Sequence, residues 1–206
     1  MKQKLELVVA TKNLKKLSEI KAILKDLDLK VISLQGYRSV PRVIENGKTF
    51  EENAVKKAVR LARFTGKLTM GEDSGLCVDA LKGAPGVHSA RFSGKDKNDL
   101  KNNQKLLRVL EGVTQNKRKA HYVCAVALAD QFGFVKVVSG RCNGLIGFKP
   151  AGSRGFGYDP LFVIPKYKKT FAELGEKIKH KMSHRYYALE DARKIIEKYI
   201  EQHNNA

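Results

Sequence analysis

The sequence predicts an α/β protein with a mixed, twisted sheet flanked by helices. Two observations point there. Short apolar runs alternate with segments of helical periodicity, and two long strand-like runs in the middle of the chain face each other across Gln131-Phe132-Gly133. A third bounds the answer: 206 residues can bury a real core, and no repeat, low-complexity segment or clear linker divides them, so residues 1–206 read as one domain.

Taken in order, LELVVA (residues 5–10) is a short apolar run with the pattern of a buried strand. Asn13 stands as an N-cap before LKKLSEIKAILKDL, where Leu14, Leu17, Ile20, Ile23, Leu24 and Leu27 recur at helical spacing. KVISL predicts a second strand. Thr49 then opens T-F-E-E, a capping-box pattern with Glu52 three residues on, and the helix it starts stops at Gly66. LTMGED and GLCVDAL read as two short strands joined by an Asp-Ser-Gly turn. The spacing of Leu100, Leu106, Leu107 and Leu110 predicts a helix over 98–111. AHYVCAVALAD and FVKVVSGRCNGLIG form the central hairpin. The Gly-rich PAGSRGFGYDP leads to the strand LFVIP, and SHRYYALEDARKIIEKYIEQ is a closing helix.

Composition narrows the classes. A hydrophobic fraction of 42% with 30% charged residues is ordinary for a soluble globular protein. No apolar run approaches the roughly 20 residues that span a bilayer, and the start MKQKLELVVATKNLKK lacks the pattern of a signal peptide. Cys77, Cys124 and Cys142 are far apart with no metal-ligand spacing, so they read as reduced, mostly buried thiols of a cytoplasmic protein. The net charge of +19, from 40 Lys and Arg against 21 Asp and Glu, attracts polyanions in general. The lysines are spread along the chain, which favours a solvated surface over a dedicated patch.

Four places can carry chemistry. In ATKNLKK (residues 10–16) a strand ends in a polar loop that opens a helix, aiming backbone N–H groups at the loop, with Thr11, Asn13, Lys12, Lys15 and Lys16 at hand. Such Asn-capped starts are common, so this site is weak alone. Glu72 and Asp73 set two carboxylates side by side, which suits a hard cation such as Mg²⁺ as well as a plain surface turn. The flanking Leu76, Cys77 and Val78 argue that the stretch is partly enclosed. GFGYDP offers glycines where backbone can approach a ligand, and Phe156 and Tyr158 as flat faces for a base. In KHKMSHR, Ser183 can cap the last helix while Lys179, His184 and Arg185 gather at its start, where cations are unfavourable without an anionic partner.

The ordered set T-x-N-x-x-K, E-N-G-x-T-F-x-E-N-A, D-S-G-L-x-V-D-A-L-x-G-x-P-G-V-x-S-A-R, F-G-Y-D-P-x-F and S-H-R-x-x-A-L resembles the inosine/xanthosine triphosphate pyrophosphatase family over residues 10–189. The resemblance implies two lobes with a central substrate cleft and a homodimer. It also implies Mg²⁺-dependent hydrolysis of non-standard purine nucleoside triphosphates (ITP, dITP, XTP) to monophosphate and pyrophosphate. Carried onto this chain, Thr11, Lys12, Asn13, Leu14, Lys15 and Lys16 hold phosphates, with Asn13 and Lys16 matching the family's polar positions. Lys57 meets the phosphates, Glu45 and Asp73 ligate the metal, and Asp73 is the catalytic carboxylate. Ser74 contacts substrate, and Phe156, Gly157, Tyr158, Asp159, Lys179, His184 and Arg185 surround the base. The chain departs from the family where Lys12 and Lys15 replace frequent glycines, Glu72 a frequent Asp and Tyr186 a frequent Gly.

Charge alone suggests a competing class, a nucleic-acid binder. That class interleaves basic residues with stacking aromatics; this chain has no Trp, its aromatics do not track its Lys clusters, and Glu45 and Asp73 would go unexplained. No stable nucleic-acid or membrane partner is expected. A pyrophosphatase of pyrimidine or modified nucleotides is opposed only by the base-pocket residues.

Overall fold

The computed structural model describes residues 4–204; residues 1–3, which open the stretch weighed as a leader, and 205–206 lie outside it. Its strands are β1 (Leu5–Val9), β2 (Leu29–Ser33), β3 (Thr69–Val78), β4 (Lys119–Ala129), β5 (Val135–Ile146), β6 (Phe162–Ile164) and β7 (Lys169–Thr170). Its helices are α1 (Leu14–Ile23), α2 (Phe50–Thr65), α3 (Asp99–Val109), α4 (Phe171–Leu174), α5 (Glu176–Lys179) and α6 (His184–Asn204). The strands form a mixed sheet ordered β2-β1-β3-β4-β5-β6-β7, with β1 parallel to β2 and β3, and β6 antiparallel to β5 and β7. Among the described residues no helix is long and apolar enough to cross a membrane.

Contacts divide the chain into two compact units. The first holds the chain through Asp73, Cys124–Gly140 and the segment from Arg185; the second holds Ser74–Val123 and Arg141–His184. In the first unit β1 is covered on both faces, which is why its sequence is a continuous apolar run. Leu7 and Val9 pack with Leu17 and Ile20 of α1, Val126 and Leu128 of β4, and Leu189 and Ile196 of α6. Val8 and Ala10 pack with Leu34 and with Leu61 of α2. The core of the second unit joins Leu76 and Val78 of β3, Leu106 of α3, Tyr122 of β4, Ile146 of β5, Phe162 and Ile164 of β6, and Phe171 of α4.

The local signals act as the sequence suggests, with one change. Asn13 caps α1, its Oδ1 accepting from the amides of Lys15 and Lys16. Thr49 Oγ1 accepts from Glu52 N at 3.1 Å, but the Glu52 carboxylate takes the Lys48 amide instead of closing the capping box. α2 ends at Gly66 with φ 65°, a left-handed residue where glycine carries no Cβ penalty. The turn between Asp130 and Phe134 is closed by the Asp130 carboxylate, which accepts from the amides of Phe132 and Phe134.

One expectation needs correction. LTMGED and GLCVDAL are not two strands joined at Asp-Ser-Gly; Thr69–Val78 is one strand. The residues favour turns, but burial and ladder pairing outweigh that local preference. The segment 169–179 also carries β7, α4 and α5, which the sequence reading passed over, although Thr170 and Glu173 form a complete capping box there.

Candidate active site

Successive side chains of a strand point to opposite faces. The continuity of β3 therefore separates Glu72 from Asp73, and each makes its own direct ion pairs. Glu72 Oε1 accepts from Arg185 Nη2 at 3.0 Å, and Glu72 Oε2 lies 2.9 Å from Lys16 Nζ. The Cys124 thiol also donates to Glu72 Oε1 at 3.3 Å, and Arg185 Nη1 donates to Glu19. Burial drives the Glu72 carboxyl upward, but Arg185 and then Lys16 more than reverse it and hold it well below the usual value. Burial likewise opposes the Arg185 charge, and Glu72 and Glu19 together overcome it, leaving the guanidinium more firmly protonated.

Asp73 faces α2. Its Oδ1 lies 3.3 Å from Lys57 Nζ, and its Oδ2 accepts from Asn53 Nδ2 at 3.1 Å. Asn53 Oδ1 accepts from Gly47 N at 2.8 Å, which fixes which end of the amide faces Asp73. Lys57 Nζ also donates to Glu45 at 3.0 Å, so one ammonium joins two carboxylates. Asp73 is only 9% exposed, and burial raises its pKa above the usual 3.8 despite the opposing pull of Lys57. The Lys57 ammonium goes the other way from what burial asks, raised by Asp73 and then Glu45. The result is a buried carboxylate with heightened proton affinity beside a fixed positive charge.

Gly71 sets the spacing. A Cβ there would sit 2.2 Å from Ala54 O and 2.6 Å from Ala58 N, both backbone atoms of α2. Only glycine lets this helix lie so close to β3, and that closeness brings Asn53 and Lys57 to Asp73.

The loop before α1 satisfies much of its own backbone. Asn13 N donates to Thr11 Oγ1 at 3.1 Å, and the cap uses the Lys15 and Lys16 amides. The positive potential there comes from Lys12, Lys15 and Lys16 as well as the helix end, and Leu14 is exposed at its first position. Neither Lys12 nor Lys15 adopts a positive φ, so the loop accommodates lysine without backbone strain where relatives of the resembling family often have glycine.

The second unit holds a separate polar set. Asp159 and Lys179 form a buried ion pair at 2.6 Å, and the Lys179 ammonium lies 4.3 Å from the centre of the Phe156 ring. Asp159 Oδ2 also accepts from Phe156 N at 3.0 Å. The His184 ring is buried and stacks on Tyr122 with centroids 4.6 Å apart. Tyr158 does not offer the flat face that the sequence suggested; it is 3% exposed in the core, its hydroxyl donating to Ser89 O. Arg185, read as part of the base pocket, has its guanidinium on Glu19 and Glu72 in the first unit. Ser74 follows Asp73 on β3, half-buried. Asn53 and Glu19 went unread, although Asn53 lies within E-N-G-x-T-F-x-E-N-A.

The Glu45–Lys57–Asp73 group holds two oxygen donors around one cation, a set that fits a hard divalent metal. Among the described residues no group of three or more His, Cys, Asp or Glu side chains could hold a metal alone.

Comparison with known proteins places the chain in a family. The chain is 48% identical over 199 residues to a dITP/XTP pyrophosphatase of Desulforamulus reducens, covering 96% of this chain and 99% of that one. It is 47% identical over 192 residues to a dITP/XTP pyrophosphatase of Shouchella clausii, covering 93% and 96% of the two chains. Among solved structures, the Staphylococcus aureus Ham1 protein superposes with a TM-score of 0.84 at 38% identity, over 94% of this chain and 99% of that chain. A HAM1 protein from Coxiella burnetii gives 0.86 at 39% identity over the same shares. The sequence pattern of the Ham1 family matches residues 7–195, and the chain belongs to the Ham1 family.

Proposed function

We propose that this chain hydrolyses inosine- and xanthosine-type nucleoside triphosphates (ITP, dITP, XTP) to the monophosphate and pyrophosphate. The observation that carries the reading is Asp73, a buried carboxylate of raised proton affinity held by Lys57 and Asn53, with Glu45 on the same lysine. The curated relatives named dITP/XTP pyrophosphatase supply the substrate class.

Attack on the α-phosphorus requires a water that loses its proton, and Asp73 is the group to accept it. A carboxylate whose affinity for protons is raised by burial is a better base than a solvated one. Lys57, Lys16 and the loop of Thr11, Lys12, Asn13, Leu14 and Lys15 neutralise and hold the phosphates. Glu45 and Asp73 would hold Mg²⁺, and Ser74 contacts substrate. When bound, the ion supplies charge neutralisation over the phosphates and the departing pyrophosphate. Phe156 supplies the stacking face for the base, with Gly157, Asp159, Lys179 and His184 around it. Tyr158 supports that set from the core, and Arg185 acts through Glu72 on Lys16. A homodimer in the cytoplasm is the expected setting.

The test is pyrophosphate release from a panel of ITP, XTP, dITP, GTP and ATP, with and without Mg²⁺. Expected is metal-dependent turnover in which kcat/KM for ITP and XTP exceeds that for ATP, by up to about 10⁴-fold where a site is built on hydrogen bonds. Equal handling of ITP and ATP would overturn the base assignment; orthophosphate as the sole product would overturn the reaction. In the same assay Gly71→Ala is expected to lower kcat/KM by about 10²-fold, because it pushes Lys57 and Asn53 away from Asp73. Unchanged kinetics would show that the α2–β3 spacing does not matter for turnover.

A further inference from the structure

The geometry points to Asp99 and Asn103, on the first turns of α3, as positioning residues for the loop GFGYDP and through it for base selection. The inference rests on the reading of that loop as the base site. Neither residue belongs to the motifs that carry the family resemblance.

The two side chains hold the peptide groups of a single residue. Gly157 N donates to Asp99 Oδ2 at 2.7 Å, and Asn103 Nδ2 donates to Gly157 O at 2.8 Å. The same Asn103 amide donates to the Asp99 backbone carbonyl at 2.8 Å, so its orientation is fixed by two acceptors. Gly157 has φ +62°, a left-handed conformation, and a Cβ there would meet nothing within 4 Å. The glycine answers to backbone conformation rather than to crowding, and that conformation needs something to hold it. Loop residues on either side are tied down elsewhere, Phe156 N to Asp159 and the Tyr158 hydroxyl to Ser89 O. The main chain of Gly157 is held from α3 at both ends. Releasing it frees the peptide next to Phe156, the ring assigned to the base.

The neighbouring Asn102 makes a useful contrast. Its side chain serves a different segment, accepting from Ser93 N and Oγ at 2.7 Å and donating to Ala90 O. Adjacent asparagines of one helix thus anchor two different loops, and only Asn103 reaches GFGYDP.

The test compares kcat and KM for ITP and ATP in wild type, Asp99→Ala, Asn103→Ala and Asp99→Asn, with melting temperatures for each. Asp99 is exposed, so its variants remain folded even where Asn103→Ala does not. Both alanine variants are expected to raise KM for ITP about tenfold and to shrink the ITP/ATP ratio of kcat/KM by a similar factor, with kcat at saturating ITP nearly unchanged. Asp99→Asn keeps an acceptor oxygen for Gly157 N–H and is expected to restore the wild-type ratio. Lys101→Ala, which removes only an exposed pair with Asp96, is the control. If wild type prefers ITP and Asp99→Ala keeps both the ratio and KM, the positioning role is overturned while the base-site reading stands. If wild type itself shows no preference, the base-site reading falls and this inference with it.

Discussion

Asp73→Asn is expected to lower kcat for ITP by about 10²–10⁴-fold, the span over which a general base contributes, while the melting temperature stays at or above that of wild type. The two halves of that result have one cause. Burial raises the Asp73 pKa above 3.8, and Lys57, Lys16 and Asn53 recover only part of the cost of ionising it there. A group whose folded pKa is raised contributes stability below its unfolded value and loses it as pH rises through the folded value. At neutral pH the ionised Asp73 is therefore a burden on folding that catalysis retains. The neutral amide keeps the shape, removes the burden and still offers Lys57 an oxygen, while Glu45 continues to hold that lysine. What it cannot do is accept a proton from water. Near-normal Mg²⁺-dependent pyrophosphate release by the folded variant would show that Asp73 is not the base. A variant that fails to fold would contradict the burial argument instead.

What could be read from the sequence divides along distance in the chain. Asn13, Thr49 and Gly66 act within a few residues of themselves, and each does in the fold what its neighbours in sequence suggest. The apolar periodicities of α1 and α3 are local in the same sense. Asp-Ser-Gly misled for the same reason, because its local turn preference is real but loses to a strand buried among other strands. Once those residues are extended, the puzzle of two adjacent carboxylates dissolves, since Glu72 and Asp73 never share a face. The partner of Arg185 was beyond any local signal: Glu19 is 166 positions away. Asp99 and Asn103 were hidden differently. Their helix is predicted by its leucines, a spacing that says nothing of what its polar side chains hold.

The second large effect is expected on stability, from Arg185→Ala. Arg185 is 1% exposed and stands between Glu19 and Glu72, of which Glu72 is 3% exposed. Removing the guanidinium takes the shared cation away from two buried carboxylates, a change that costs about 3–5 kcal/mol in comparable buried pairs. The expected readout is a large fall in the urea midpoint, together with loss of turnover because Lys16 no longer has a fixed anchor. Glu72→Gln separates the pair from the fold. Its folded pKa lies well below 4.5, so the ionised Glu72 contributes stability that is present above about pH 4.5 and lost as pH falls below it. Wild type should thus lose stability on acidification through that window, and Glu72→Gln should show a flatter acid limb and a lower plateau at neutral pH. The neutral amide also removes the Glu72 charge from beside Lys16, so KM for the triphosphate should shift in this variant while Asp73 chemistry continues. If Arg185→Ala instead stays as stable as wild type and merely loses its preference for ITP over ATP, the guanidinium reads the base and the buried ion cluster is secondary. A wild-type acid limb that Glu72→Gln leaves unchanged would remove Glu72 from the linkage altogether.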